Sequence, residues 1–151
     1  MTGELPSGIL FVDDEPENVA LATSILADSL SAPVIAVETV EHAVRELHRR
    51  RWAMVVMDLF IPLGDHPQRV LGPRAFKYQE HVEHLGGLVL LEEIERLPHP
   101  RPIVVSHTAC TDHILLELFG EVVARRIPKP VPLDTLLQNL LEVLGTERQV
   151  S

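Results

Sequence analysis

Four charged side chains stand at the ends of three short apolar runs. Asp13 and Asp14 follow Ile9-Leu10-Phe11-Val12, Asp58 follows Met54-Val55-Val56-Met57, and Lys129, with Pro130 after it, follows Arg126-Ile127-Pro128. If the runs are buried parallel strands, all four groups sit at strand C-termini, the edge where open α/β sheets bind ligands. Three carboxylates gathered there repel one another, and a hard divalent cation such as Mg²⁺ relieves them. A lysine beside them suits a phosphoryl group.

The rest of the chain supplies the elements that would hold these groups. Apolar runs at Ile9 to Val12, Val34 to Val37, Ala53 to Met57 and Ile103 to Val105 or slightly beyond read as strands, with Val122 to Ile127 as a less apolar fifth at an edge. The third is apolar on both faces, so it is placed centrally. Pro16 suits a first helical turn, and Val19, Ala20, Ile25, Leu26 and Leu30 give the helix after it an apolar face. Further helices are expected over Glu41 to Arg50 (Ala43, Val44 and Leu47 inward), Gly87 to Leu97 (Leu88, Leu91 and Ile94 on one face), Asp112 to Phe119 with Asp112 as N-cap, and Leu133 to Leu144. Alternating strands and helices imply a parallel α/β sheet covered on both faces, with strand order 2-1-3-4-5.

The order and spacing of these motifs resemble the receiver (CheY-like) domain of two-component response regulators, over nearly the whole of residues 1–151 read as a single domain. The resemblance implies a doubly wound, flavodoxin-like sheet. It implies that Asp58 accepts a phosphoryl group from a sensor histidine kinase or histidine phosphotransfer protein. It also implies that Asp13, Asp14 and Asp58 bind Mg²⁺ together with the backbone carbonyl of Phe60, one of the acidic pair directly and the other through water. Lys129 matches the family's phosphoryl-pairing lysine, and the peptide bond before its proline is usually cis. Thr108-Ala109 matches the switch hydroxyl and its small neighbour, with Ser106 as a rival. A carboxylate can act as such a nucleophile, forming an acyl phosphate. Taken singly, each of these residues has a plainer reading: a turn aspartate, a helix cap, a surface lysine, a strand-end hydroxyl.

The chain also departs from the family. Arg126 stands where the switch aromatic is expected, three residues before the lysine. Phe60 and Cys110, two residues after Asp58 and Thr108, are poor at positioning water, so self-dephosphorylation is expected to be slow. Phosphatases of the aspartyl-phosphate type use Asp-x-Asp, and Phe60 takes the second position here; Toprim sites want Asp-x-Asp on a later strand, which the chain also lacks, so an enzyme is not expected. Ile61-Pro62 and Gly86-Gly87 match the family on either side of roughly 20 extra residues, from Leu63 to Leu85. Such long connections are usually functional or disordered. This one carries Arg69, Arg74 and Lys77, and Ala75 to Leu85 has helical character. A lid, a partner-docking surface and a tolerated insertion are all open readings.

Bulk properties narrow the classes. A net charge of -9 over 151 residues argues against nucleic acid and anionic membranes as partners. No apolar run approaches the roughly 20 residues of a membrane span. The first residues do not read as a signal peptide, and the single Cys110 cannot form an internal disulfide, so a cytoplasmic location is expected. His81-x-x-His84 and His107-x-x-Cys110-x-x-His113 have ligand-like spacings but neither is a complete four-ligand set. Only seven residues follow Leu144, so the output is expected to be a contact of the domain's own surface with an unknown partner. The chain reads as a monomer or a phosphorylation-dependent dimer, with Arg125-Arg126 and Glu117 or Glu121 as possible pairing groups. The alternative function is a pseudo-receiver whose 63–85 segment binds a partner.

Overall fold

The structure, a computed structural model, describes residues 7–82, 84–120 and 122–150. Five strands form one all-parallel sheet: β1 (Ile9–Val12), β2 (Val34–Val37), β3 (Met54–Met57), β4 (Ile103–Thr108) and β5 (Arg125–Pro128). Their order is β2-β1-β3-β4-β5. The fold is thus the doubly wound, flavodoxin-like α/β architecture, with β3 central and β5 at an edge as expected.

Alternate residues of each strand feed opposite faces, as the period of two demands. Ile9, Phe11, Met54, Val56, Val105 and Ile127 pack with Val19, Ala22 and Leu26 of the first helical segment and with Leu136, Leu140, Val143 and Leu144 of the last helix. Leu10, Val12, Val55, Met57 and Val104 form the core of the other face. Each fully buried aliphatic or aromatic side chain contributes about 1.5–3 kcal/mol.

A 3₁₀ turn, Pro16–Val19, precedes α1 (Ala20–Leu30). This turn shifts the helical phase: Ala20 is exposed and Ala22 is buried in its place, a correction to the expected face. The helix α2 (Val40–Arg49) buries Ala43, Val44 and Leu47 as anticipated. The last helix, α7 (Leu133–Val150), runs further than its apolar face predicted.

The described residues of the 63–85 segment are folded. They form α3 (Gln68–Leu71) and α4 (Arg74–Val82), ahead of α5 (Gly86–Glu95). Leu71, Ala75 and Tyr78 are buried in the core of the α2 and α5 face. A polar network fixes the segment to α5. Arg74 grips buried Glu93 with both Nη2 (2.8 Å) and Nε (3.1 Å). The Tyr78 hydroxyl lies 2.6 Å from Glu92 Oε2 and 3.1 Å from Glu93 Oε2. Burial, then those two carboxylates, push the Tyr78 phenol well above its ordinary range, so it stays a donor. Arg74, one of the three basic residues noted in this segment, is therefore spent on the fold.

Candidate phosphoacceptor site

The loop after Asp58 is held by two helix N-termini, whose first N–H groups have no partner within their own helices. Val40 and Glu41, opening α2, donate to the carbonyls of Pro62 (3.0 Å) and Leu63 (2.9 Å), while His42 N–H donates to the Thr39 hydroxyl (3.1 Å). Gly86 and Gly87, opening α5, donate to the carbonyls of Ile61 (2.9 Å) and Leu59 (3.0 Å). The stretch Leu59–Leu63 is thus clamped from both sides, and the extra segment leaves and rejoins the fold at that clamp.

At the carboxyl edge of the sheet, Asp13, Asp14 and Asp58 each bring a carboxylate oxygen within 4.8 Å of the others. Asp13 and Asp58 are buried and Asp14 is exposed. Lys129 Nζ donates to Asp13 Oδ2 (2.6 Å) and Asp58 Oδ2 (2.9 Å). The other oxygens are also engaged: Asp13 Oδ1 accepts from Glu15 N–H at 2.9 Å, and Asp58 Oδ1 from Phe60 N–H at 3.2 Å. Burial disfavours the Lys129 ammonium, but its hydrogen bonds to Asp13 and Asp58 outweigh this and hold it above its ordinary value. Desolvation, then the charges of Asp13, Asp58 and Glu15, raise Asp14 above the usual carboxylate range.

Four sequence-selected side chains therefore meet at one site. The cluster fits a magnesium ion: its donors are hard oxygens and it retains net negative charge despite Lys129. Asp14→Asn removes one repelling charge, so in chelator it is expected to raise Tm by about 1–3 °C. Mg²⁺ should stabilise that variant less than wild type, which thermal melts with and without the ion will measure.

Of the two candidate hydroxyls, Thr108 lies at the end of β4, where its carbonyl accepts from Lys129 N–H (3.1 Å) and its Oγ1 from Cys110 N–H (3.3 Å). Ser106 lies lower in the ladder, opposite Met57. The Lys129-Pro130 peptide bond is cis. Phe60 is exposed and Cys110 half-buried.

Arg126 points outward, and its Nη2 donates to the Leu116 carbonyl (2.8 Å) of α6 (His113–Gly120). Arg125 bonds Asn139 (3.0 Å) and Glu142 (2.8 Å) on α7. Both arginines are thus engaged within the chain, not held free for Glu117; Glu121 lies outside the described residues. Asp112 caps α6 as expected, its Oδ1 accepting from Ile114 (2.9 Å) and Leu115 (3.1 Å).

Among the described residues, the one group of three metal-ligating side chains is the acidic one. His107 is instead buried and bonded to a backbone carbonyl, and His113 is exposed. The side chain of His81 lies outside the described residues, so the His81–His84 reading does too. No helix among the described residues is long and apolar enough to cross a membrane.

No protein-family profile and no curated protein sequence matches the chain. Solved structures do. A CheY-like response regulator receiver domain from Methanospirillum hungatei superposes with a TM-score of 0.69 at 15% identity, over 97% of this chain and 100% of that one. The receiver domain of a sensor histidine kinase from Pseudomonas aeruginosa, solved with magnesium coordinated in its active site cleft, gives 0.65 at 22% identity over 93% and 99%. A CheY-like receiver domain from Methylobacillus flagellatus gives 0.61 at 17% over 92% and 99%. The chain has the fold of the CheY-like receiver domains.

Proposed function

We propose that this chain is a response regulator receiver in two-component signal transduction. Asp58 takes a phosphoryl group from a histidine kinase or phosphotransfer protein, and the added charge shifts a protein-binding surface. The observation that carries this reading is Lys129 Nζ bridging Asp13 and Asp58, with Asp14 alongside, at the carboxyl edge of the sheet. An Asp58 oxygen attacks phosphorus; the O–P bond forms as the donor's N–P bond breaks, and the donor imidazole keeps the electron pair. Lys129 then pairs with phosphoryl oxygens, and Thr108 offers its hydroxyl. Asp13, Asp14, Asp58 and the Phe60 carbonyl would hold Mg²⁺, which would supply charge neutralisation there. The chain is a phosphoacceptor, with self-dephosphorylation at most slow.

Intact mass after incubation with acetyl phosphate tests this. A Mg²⁺-dependent phosphoryl adduct is expected; none, where Mg²⁺ is shown separately to bind, would overturn it. Exposed Phe60 and half-buried Cys110 are poor at positioning water, so the adduct is expected to persist for minutes or longer. Loss within seconds of removing the donor would contradict that.

The second reading, a pseudo-receiver whose 63–85 segment binds a partner, is favoured by one observation. The outward Arg126 occupies the switch position and is tied to α6. Because the segment supplies core side chains, substituting its exposed Arg69, Phe76 and Lys77 separates the two: a receiver loses partner binding only in part and keeps phosphorylation, whereas a pseudo-receiver loses its partner outright.

A further inference from the structure

The end of β5 has few backbone donors. Pro128, in register with Thr108, has no N–H, and neither does Pro130. Yet Lys129, lying between them, has to hold an ammonium within 2.6 Å of one carboxylate and 2.9 Å of another. Two hydrogen bonds join this end to β4 in addition to the strand ladder itself. One is from Lys129 N–H to the Thr108 carbonyl, at 3.1 Å. The other comes from a side chain: His107 Nδ1 lies 3.1 Å from the carbonyl oxygen of Ile127, two residues before the lysine.

The chemistry of that second contact is fixed. A carbonyl oxygen only accepts, so Nδ1 carries the proton. Burial holds the His107 pKa below its ordinary value, which favours the neutral ring. With 7% of its surface exposed, His107 donates from a site where an unmade bond is costly. With Lys129, Asn18 and Pro130 it lines a cleft of about 480 Å³ beside the carboxylates, but it has no hydrogen bond to any of them.

We infer that His107 is a positioning residue for the phosphoacceptor site: its Nδ1–H braces the proline-flanked end of β5 and so fixes where the Lys129 ammonium stands. The inference rests on the receiver reading for its link to phosphorylation, but the placement of Lys129 can be tested without it.

The experiment is a double-mutant cycle of His107 against Lys129, read by Mg²⁺ titration and by acetyl phosphate labelling. His107→Leu keeps the bulk and removes the donor. Lys129, no longer fixed on Asp13 and Asp58, should compete less with the cation, so Mg²⁺ affinity should rise severalfold while labelling slows by about 10-fold or more. His107→Asn, whose amide stands where Nδ1 was, should restore both to near wild type. His107→Gln, whose amide stands where Nε2 was, should not, and this pair carries the test if the leucine variant fails to fold. In a Lys129→Met background the His107 substitutions should leave Mg²⁺ affinity unchanged. Equal effects with and without Lys129, or no rescue by asparagine, would overturn the inference. Absence of labelling in wild type would instead count against the receiver reading, with the Mg²⁺ cycle still deciding the role of His107.

Discussion

Asp58→Asn is expected to abolish acetyl phosphate labelling at this site while leaving the fold intact. The amide matches the carboxylate in size, and asparagine can still accept the Phe60 N–H bond that Asp58 Oδ1 now accepts at 3.2 Å. What it lacks is the anion, and with it the nucleophile that would form the acyl phosphate. The same change takes one charge out of the three-carboxylate cluster, so Mg²⁺ affinity should fall by about 10-fold or more, since charge count sets affinity at such oxygen sites. Intact mass and Mg²⁺ titration read the two effects separately. An undiminished adduct on the Asp58→Asn variant would move the phosphoacceptor elsewhere. A lost adduct with unchanged Mg²⁺ affinity would remove Asp58 from the metal set but not from the chemistry.

The largest stability effect is expected at Gly86. A Cβ there would lie 2.1 Å from the carbonyl oxygen of Ile61 and 2.8 Å from Val40 Cγ2. The Ile61 oxygen is a backbone atom already accepting the Gly86 N–H at 2.9 Å, so it cannot swing aside as a side chain could. Alanine must push α5 off the loop that follows Asp58. Overpacking that forces the backbone to move costs about 1–3 kcal/mol and occasionally more. Gly145, inside α7 with nothing within 4 Å of its would-be Cβ, is the control. There alanine should stabilise by about 0.5–1 kcal/mol through helix propensity alone. Urea denaturation of the two variants should give opposite signs, and a Gly86→Ala cost under about 1 kcal/mol would mean that the clamp yields.

Strands and site were legible for one reason. Buried parallel strands are unbroken apolar runs, and β1 and β3 each stop at an aspartate on the functional edge. Element ends that depend on tertiary contacts were less legible. The phase of α1 was misjudged because Pro16 opens a 3₁₀ turn before the helix proper. The fifth strand was started too early, at Val122, because its apolar residues belong to the approach and not to the ladder. The four-residue α3 is too short to show a period, although Pro67 before it and Gly72 after it, with φ of 64°, are start and stop signals that could have marked it. The Arg74, Tyr78 and Glu93 network joins residues up to 19 apart on different helices, which no local pattern exposes. His107 sat in plain view, but its ligand-like spacing to Cys110 and His113 made an incomplete set and gave no hint of its actual partner, a backbone oxygen.

The proline-flanked end of β5 has one more consequence, for how copies of this chain meet. A sheet edge is a template: its unpaired N–H and C=O groups invite a strand from a neighbouring molecule. β5 is such an edge, yet it spans only Arg125–Pro128, ends in a proline and is followed by another at Pro130. Two of its four residues are arginines, whose like charges would face each other across an antiparallel pairing of two such edges. The donor shortage that leaves Lys129 in need of a brace also makes this edge a poor seed for edge-to-edge aggregation.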